Sequence, residues 1–154
     1  MIFAHLIAAA AASVAPLDVY GVWESHDGTS KIEITDCGNG TPCGYIRWVE
    51  YEVPDVYTDG VLRDGYNKDK ALQTRPIIGL QLLGDFESAR SQWRRGEIYD
   101  PETGNTYRAS LKRADGDTLE IQGCVAVMCQ TIEWTASTLS EKERQEAQRM
   151  TPTR

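Results

Sequence analysis

The sequence predicts an all-β domain, an eight-stranded antiparallel up-and-down barrel followed by a short charged C-terminal helix or tail. Three observations carry that prediction. Apolar residues recur at every second position in short segments, which puts them on one face of a strand. Turn formers such as His26-Asp27-Gly28, Asp100-Pro101-Glu102-Thr103-Gly104 and Asp115-Gly116-Asp117 separate those segments at hairpin distance. A sheet of this size removes its exposed edges most simply by closing on itself.

The chain has 154 residues, enough for one domain. Residues 1–15 read as a signal peptide: Met-Ile-Phe-Ala-His-Leu-Ile runs into five alanines, an apolar stretch too short to span a bilayer. Ser13-Val14-Ala15 supplies a small-x-small cleavage site, with cleavage after Ala12 as the fallback. The n-region lacks Lys and Arg, and a buried N-terminal helix is the alternative.

Residues 16–136 hold the strands. Tyr20 to Glu24 is the first, and Lys31 to Thr35 alternates with Ile32 and Ile34 inward. In Gly44 to Tyr51 the faces are less distinct, and Ile46 and Trp48 oppose Tyr45, Val49 and Tyr51. Glu52 to Thr74 is a long polar segment, of the kind usually functional or mobile in a small domain. In Ile78 to Phe86, Ile78, Leu80, Leu82 and Phe86 alternate with Gln81 and Asp85. Gln92 to Tyr99 and Asn105 to Leu111 form a hairpin, with Tyr107, Ala109 and Leu111 on one face. Thr118 to Gln122 puts Leu119 and Ile121 inward, and Gln130 to Trp134 is the last strand. Residues 137–154 are charged and rich in helix formers. Ser140-Glu141-Lys142-Glu143 fits a capping box, and Glu141 with Arg144 and Glu146 with Arg149 stand at pairing distance on a helix. Few apolar residues fix this segment, so a solvated tail is the alternative to a docked helix.

Cys37, Cys43, Cys124 and Cys129 are an even number in a chain that reads as exported, hence two disulfides. Three pairings are open. Cys37–Cys43 and Cys124–Cys129 are favoured, because each pair flanks a short segment of hairpin-loop length, although Val125-Ala126-Val127-Met128 contains no turn former. Two zinc thiolate pairs are the rival, against the spacing of Cys37 and Cys43. This framework and the leader point to the periplasm or the exterior.

The formal net charge of −7 argues against nucleic acid and anionic membranes as partners. No later run is long and apolar enough to span a membrane. His5 and His26 are the two histidines; once the leader is removed, one remains. That argues against Ser–His–Asp and Cys–His catalysis and against a multi-histidine metal site. No phosphate-binding loop or dinucleotide fingerprint occurs, so no cofactor is expected.

The remaining candidates are weaker. Asp64, Glu97 and Asp100 offer carboxylates for acid–base work, against plain turn-capping and solvated roles. Asp64, Asn67 and Asp69 offer oxygen ligands for a cation, but Lys68 sits among them and Asx-turns explain the pattern equally well. Arg75, before Pro76 at a strand start, fits either a ligand carboxylate at the barrel mouth or the carbonyls of the long loop. Trp48, Trp93, Tyr99 and Tyr107 are candidates to line an apolar cavity, with Trp93, among Gln92, Arg94 and Arg95, the one expected to be partly exposed, while Trp23 and Trp134 read as core.

The whole set of motifs resembles a bacterial family of small exported proteins, DUF2147. The resemblance rests on Gly21-Val22-Trp23, Cys37-Gly38 with Cys43-Gly44, Asp64 with Asn67, and Arg75-Pro76-Ile77-Ile78-Gly79-Leu80. It continues through Trp93, Gly96, Ile98-Tyr99-Asp100-Pro101, Gly104, Tyr107, Leu119, Gly123 and Gln130 with Trp134. It implies a lipocalin-like (calycin) barrel outside the cytoplasm and brings no established activity. It also implies an arginine soon after the last-strand tryptophan, where this chain has Trp134-Thr135-Ala136. The Trp–Arg contact that closes such a barrel therefore comes from elsewhere or is absent.

Three functions stay open. The first is a non-enzymatic module holding a small apolar or amphipathic ligand. The second is an envelope-interaction protein with a filled barrel. The third is a carboxylate-using hydrolase.

Overall fold

Strand β1 (Gly21–Glu24) hydrogen-bonds on both sides, to β2 (Ser30–Asp36) and to β9 (Met128–Ser137), and so closes the sheet into a ring. The computed structural model describes residues 15–52 and 58–151; the expected leader lies outside them, except for its last residue, Ala15. Every pairing in the ring is antiparallel. It runs from β2 to β3 (Pro42–Val49), β4 (Gln81–Gly84), β6 (Trp93–Asp100), β7 (Asn105–Arg113) and β8 (Thr118–Val125), then back to β9. A two-residue strand, β5 (Glu87–Ser88), pairs with β6 outside the eight-stranded ring. Barrel closure removes edges, as the hairpin pattern predicts.

Alternation sets the inner face. Trp23, Ile32, Ile34, Ile46, Leu83, Ala109, Leu111, Leu119, Ile121 and Trp134 are all buried in one apolar cluster. Two departures from simple alternation have identifiable causes. In β3 the register shifts beside Lys31/Ile32, so that Trp48 pairs with Lys31 but Ile46 with Ile32. Arg47 is the extra residue, and a bulge of this kind reverses the inward–outward parity of the residues beyond it. Val49 therefore joins Ile46 on the cavity wall, and Trp48 goes to the outer face under the Lys31 ammonium, 5.3 Å from its ring centre. The expected pairing of Ile46 with Trp48 on one face is corrected accordingly.

The single strand expected from Ile78 to Phe86 is broken into β4 and β5. Ile77 and Leu80 close a turn before β4 (Leu80 N to Ile77 O, 3.0 Å), and Asp85 adopts a positive φ of 60° just after it. Leu82 is a second bulge residue, between the pairs Gly44–Leu83 and Tyr45–Gln81, so both Leu82 and Leu83 are buried. Phe86 packs over Gly96, where any Cβ would overlap its ring.

One end of the barrel is plugged. Residues 15–20 cross it, held by the indole N–H groups of Trp23 to Val19 O (2.8 Å) and of Trp93 to Leu17 O (2.9 Å). The Arg113 guanidinium, at the end of β7, lies 5.2 Å from the Trp23 ring and donates to Asp18 O and Gly116 O. The tryptophan–arginine closure expected near Trp134 is thus supplied by Arg113. Trp93, expected to be partly exposed, is only 7% exposed because it belongs to this plug.

Helix α1 (Glu141–Met150) is docked. Ser140 and Glu143 form the capping box, and Glu143 bonds Lys31 of β2 at 2.8 Å. Burial works to raise the Glu143 pKa, but the bonds from Lys31 and Ser140 outweigh it and lower the pKa overall. Glu141 pairs with Arg144 at 3.9 Å. Glu146 instead lies near Tyr51, whose hydroxyl pKa is raised by burial and by that carboxylate.

Candidate functional site

The open end lies opposite the plug and leads into a cavity of about 840 Å³. Small-molecule sites typically fall between about 300 and 1,000 Å³. Its walls are the inward positions of the strands: Ile32, Ile46, Val49, Leu82, Ile98, Tyr107, Ile121 and Ile132, with Trp134 and, from the long loop region, Leu62 and Ile77. The cavity exists because these side chains, mostly aliphatic with Tyr107 and Trp134 among them, do not meet across the barrel, whereas Trp23, Trp93 and Phe86 fill the other end. A filled barrel, the alternative expectation, does not fit this volume.

The mouth is built by loops. Ser25 to Ser30 joins β1 to β2, Glu50 and Tyr51 follow β3, and Leu62, Arg63 and Tyr66 come from the long loop. Asp100 to Glu102 turns between β6 and β7, and the β8–β9 hairpin adds Val125 and Met128. Asp27 accepts from the Ser25 hydroxyl (2.6 Å), the Thr29 amide (3.1 Å) and the Thr29 hydroxyl (2.8 Å). These bonds, Ser25 first, lower its pKa to about 2. The β8–β9 hairpin ends in the two-residue turn Ala126–Val127, pinned by the Cys124–Cys129 disulfide. Ala126 holds φ at 53°, where glycine is the usual occupant. Val127 is 95% and Met128 78% exposed, an apolar tip beside the mouth. The Cys37–Cys43 disulfide closes the β2–β3 loop at the plugged end.

Beside the mouth, on the outer wall, four predicted residues converge. Asp64 is fully buried, and both its oxygens are engaged. Tyr99 donates its hydroxyl to Oδ1 at 2.6 Å; Arg75 donates Nε and Nη2 to Oδ2, each at 2.8 Å; Asn67 Nδ2 donates to Oδ2 at 2.9 Å. The Arg75 guanidinium also lies 5.5 Å from the Tyr99 ring centre. Burial, then the Asp64 bond, pushes the Tyr99 hydroxyl pKa up. Antiparallel contacts between residues 62–64 and 75–77 place Asp64 opposite Arg75 (Asp64 N to Arg75 O, 3.0 Å). The turn after Asp64 presses Tyr66 O against Gly104, where a Cβ would clash. This cluster is a latch that holds the long loop to β6 and the β6–β7 turn.

The same geometry bears on the cation and acid–base readings. Asp69 turns away to accept from Ala71 N at 3.0 Å, and Asn67 Oδ1 accepts from Asp69 N at 2.9 Å. Asp64, Asn67 and Asp69 therefore do not converge on one point, and Arg75 supplies the positive charge beside Asp64. Glu97 and Asp100 are separated by the barrel wall: Glu97 borders a smaller outer cleft of about 340 Å³, Asp100 the inner cavity.

Among the predicted ligand residues, Tyr107 lines the cavity and Tyr99 borders both the cavity and the outer cleft. Arg75 borders the outer cleft and is engaged by Asp64, so it is not a free carboxylate receptor at the mouth. Trp48 is on the outer wall and Trp93 is in the plug. Sequence reasoning missed the rim, Asp27, Glu50, Tyr51 and Glu102, because turn residues carry no periodic signal. The His26-Asp27-Gly28 turn is readable, but not that it faces a cavity.

A closed eight-stranded antiparallel barrel, plugged at one end by a tryptophan–arginine pair and open at the other over an apolar cavity, is a lipocalin-like fold. A solved structure described as "Protein HP1028 from the human pathogen Helicobacter pylori belongs to the lipocalin family" superposes with a TM-score of 0.65 at 18% identity, over 86% of this chain and 90% of that one. The family model described as "Uncharacterized protein conserved in bacteria (DUF2147)" matches residues 21–136, and the chain belongs to that family. No curated protein sequence matches it.

Proposed function

We propose that this protein is an exported, non-enzymatic carrier that holds a small apolar or amphipathic molecule in its barrel. The observation that carries the reading is the cavity of about 840 Å³ with largely apolar walls and one open end. Burying an apolar ligand there gains roughly 25 cal/mol per Å² removed from water. Tyr107 and Ile98 act as wall, and Tyr99 acts through the latch that orders the mouth. The two disulfides fit an oxidising compartment, and the periplasm or the exterior is the proposed location.

The test is titration of the oxidised protein with an uncharged environment-sensitive naphthylamine dye, with wild type beside Ile98→Trp, which projects an indole from the wall into the cavity. Saturable binding by wild type that falls at least tenfold in the variant, with an unchanged melting temperature, supports the carrier. Absence of dye binding, together with a bare mass in native mass spectrometry of protein taken from its host, would sink it.

A partner-binding role has one observation of its own, the exposed tip Val125-Ala126-Val127-Met128 beside the mouth. A carboxylate-based hydrolase has less support, since Asp64, Glu97 and Asp100 do not share a site.

A further inference from the structure

The rim of the cavity differs in character from its walls. Four carboxylates border the opening, from three separate loops: Asp27, Glu50, Asp100 and Glu102. Among the described residues, none of them stands in an ion pair with Lys or Arg. Arg63 borders the same opening, but Asp59 and the Thr74 carbonyl already engage its guanidinium. Asp27 is held ionised by Ser25 and Thr29. Asp100 is oriented by the Glu102 amide (2.9 Å) and the Thr103 hydroxyl (2.7 Å). Two tyrosines, Tyr51 and Tyr66, border the opening with them.

An apolar tail entering this barrel leaves its head group among those side chains. An anionic head would meet four like charges and, among the described residues, no free Lys or Arg beside them, the His26 imidazole next to Asp27 being the one other basic side chain lining the opening. A cationic head would meet carboxylates, and the tyrosine faces attract ammonium groups as well. Resting on the carrier reading above, we infer that the ligand class is a cationic amphiphile. It would be an amine or quaternary ammonium carried on an apolar body, with its tail against Ile98 and Tyr107 and its head between Asp27, Glu50, Asp100 and Glu102.

The experiment is isothermal titration of the oxidised protein with three decyl amphiphiles, each kept below its micelle concentration: decyltrimethylammonium, decyl maltoside and decyl sulfate. At low salt the ammonium compound should bind at least about tenfold more tightly than the maltoside, with the sulfate weakest. That ratio should shrink towards one in 1 M salt, where the Debye length is about 3 Å. The exposed rim pair Glu50→Gln/Glu102→Gln should cut the ratio several-fold. A remote pair with the same change in net charge, Glu133→Gln/Glu141→Gln, should leave it unchanged, which separates the rim from the bulk charge of −7.

Equal or tighter binding of the maltoside or sulfate overturns the head-group inference and leaves the carrier standing. So does an equal loss in the remote pair. If none of the three binds, the carrier reading falls, and the inference falls with it.

Discussion

The two ends of this barrel are made differently. At the plugged end, Trp23, Trp93 and Phe86 are buried in one cluster, and both indole N–H groups bond to the N-terminal segment. At the open end the same strands carry mostly isoleucine, valine and leucine, with Tyr107 and Trp134, around an empty volume, and order comes from a disulfide, turn-capping aspartates and the Asp64 latch. Stability is concentrated where aromatics fill the barrel, and binding capacity is left where the walls do not meet. A cavity forgoes dispersion contacts, so a barrel can keep one open only if the other end holds it together.

Substitutions at the two ends should therefore separate stability from binding. The largest effect is expected from Trp23→Ala. Removing a buried tryptophan costs about 3–5 kcal/mol, and here Arg113 also loses its ring. The urea midpoint should fall accordingly. A cost no larger than that of trimming a cavity-wall isoleucine would break the contrast.

The latch comes next. Asp64→Ala leaves Arg75 without its carboxylate and should cost about 3 kcal/mol, in the range for breaking a buried pair. Tyr99→Phe, which removes one bond to the same carboxylate, should cost about 1–2 kcal/mol. Amide exchange in residues 62–67 should rise in both, while that of β1 stays protected. Exchange rising evenly around the barrel would show that the latch is not a local device.

A smaller change of opposite sign is expected at the hairpin tip. Ala126 holds a positive φ that glycine tolerates without cost, so Ala126→Gly should stabilise the protein by about 0.5–1 kcal/mol. A lower melting temperature would contradict the strain assigned to that turn.

The smallest effect concerns Asp27. Its pKa is lowered from 3.8 to about 2 in the folded state, so its contribution is present above pH 3.8 and is lost as pH falls through 2. Because the group is exposed, screening keeps the contribution below about 1 kcal/mol. Asp27→Asn should remove that part of the acid dependence and leave the rest, as read from urea midpoints between pH 2 and pH 6.

Much of this molecule is legible in the chain as written. Alternation in Lys31 to Thr35, Asn105 to Leu111 and Thr118 to Gln122 determines which side chains face inward. Asp-Pro and Asp-Gly turns determine where the strands reverse, and short spacing favours the observed cysteine pairs. The capping box at Ser140 and the family motifs are local patterns as well. All of these depend on neighbours a few residues apart, which is what a sequence displays directly.

Closure of the barrel decided the rest. Trp48 left the inner face because one extra residue, Arg47, shifted the register against β2, and no local pattern marks a bulge. Arg113 reached Trp23 because strands far apart in sequence meet at the plugged end. Asp64 became a fully buried partner of Arg75 and Tyr99 rather than a cation ligand, since the long loop folds back over β6. The cavity, and the four carboxylates around its mouth, exist only where separate loops and eight strands enclose a common space. Such an enclosed volume is a property of long-range packing, which no stretch of residues carries by itself.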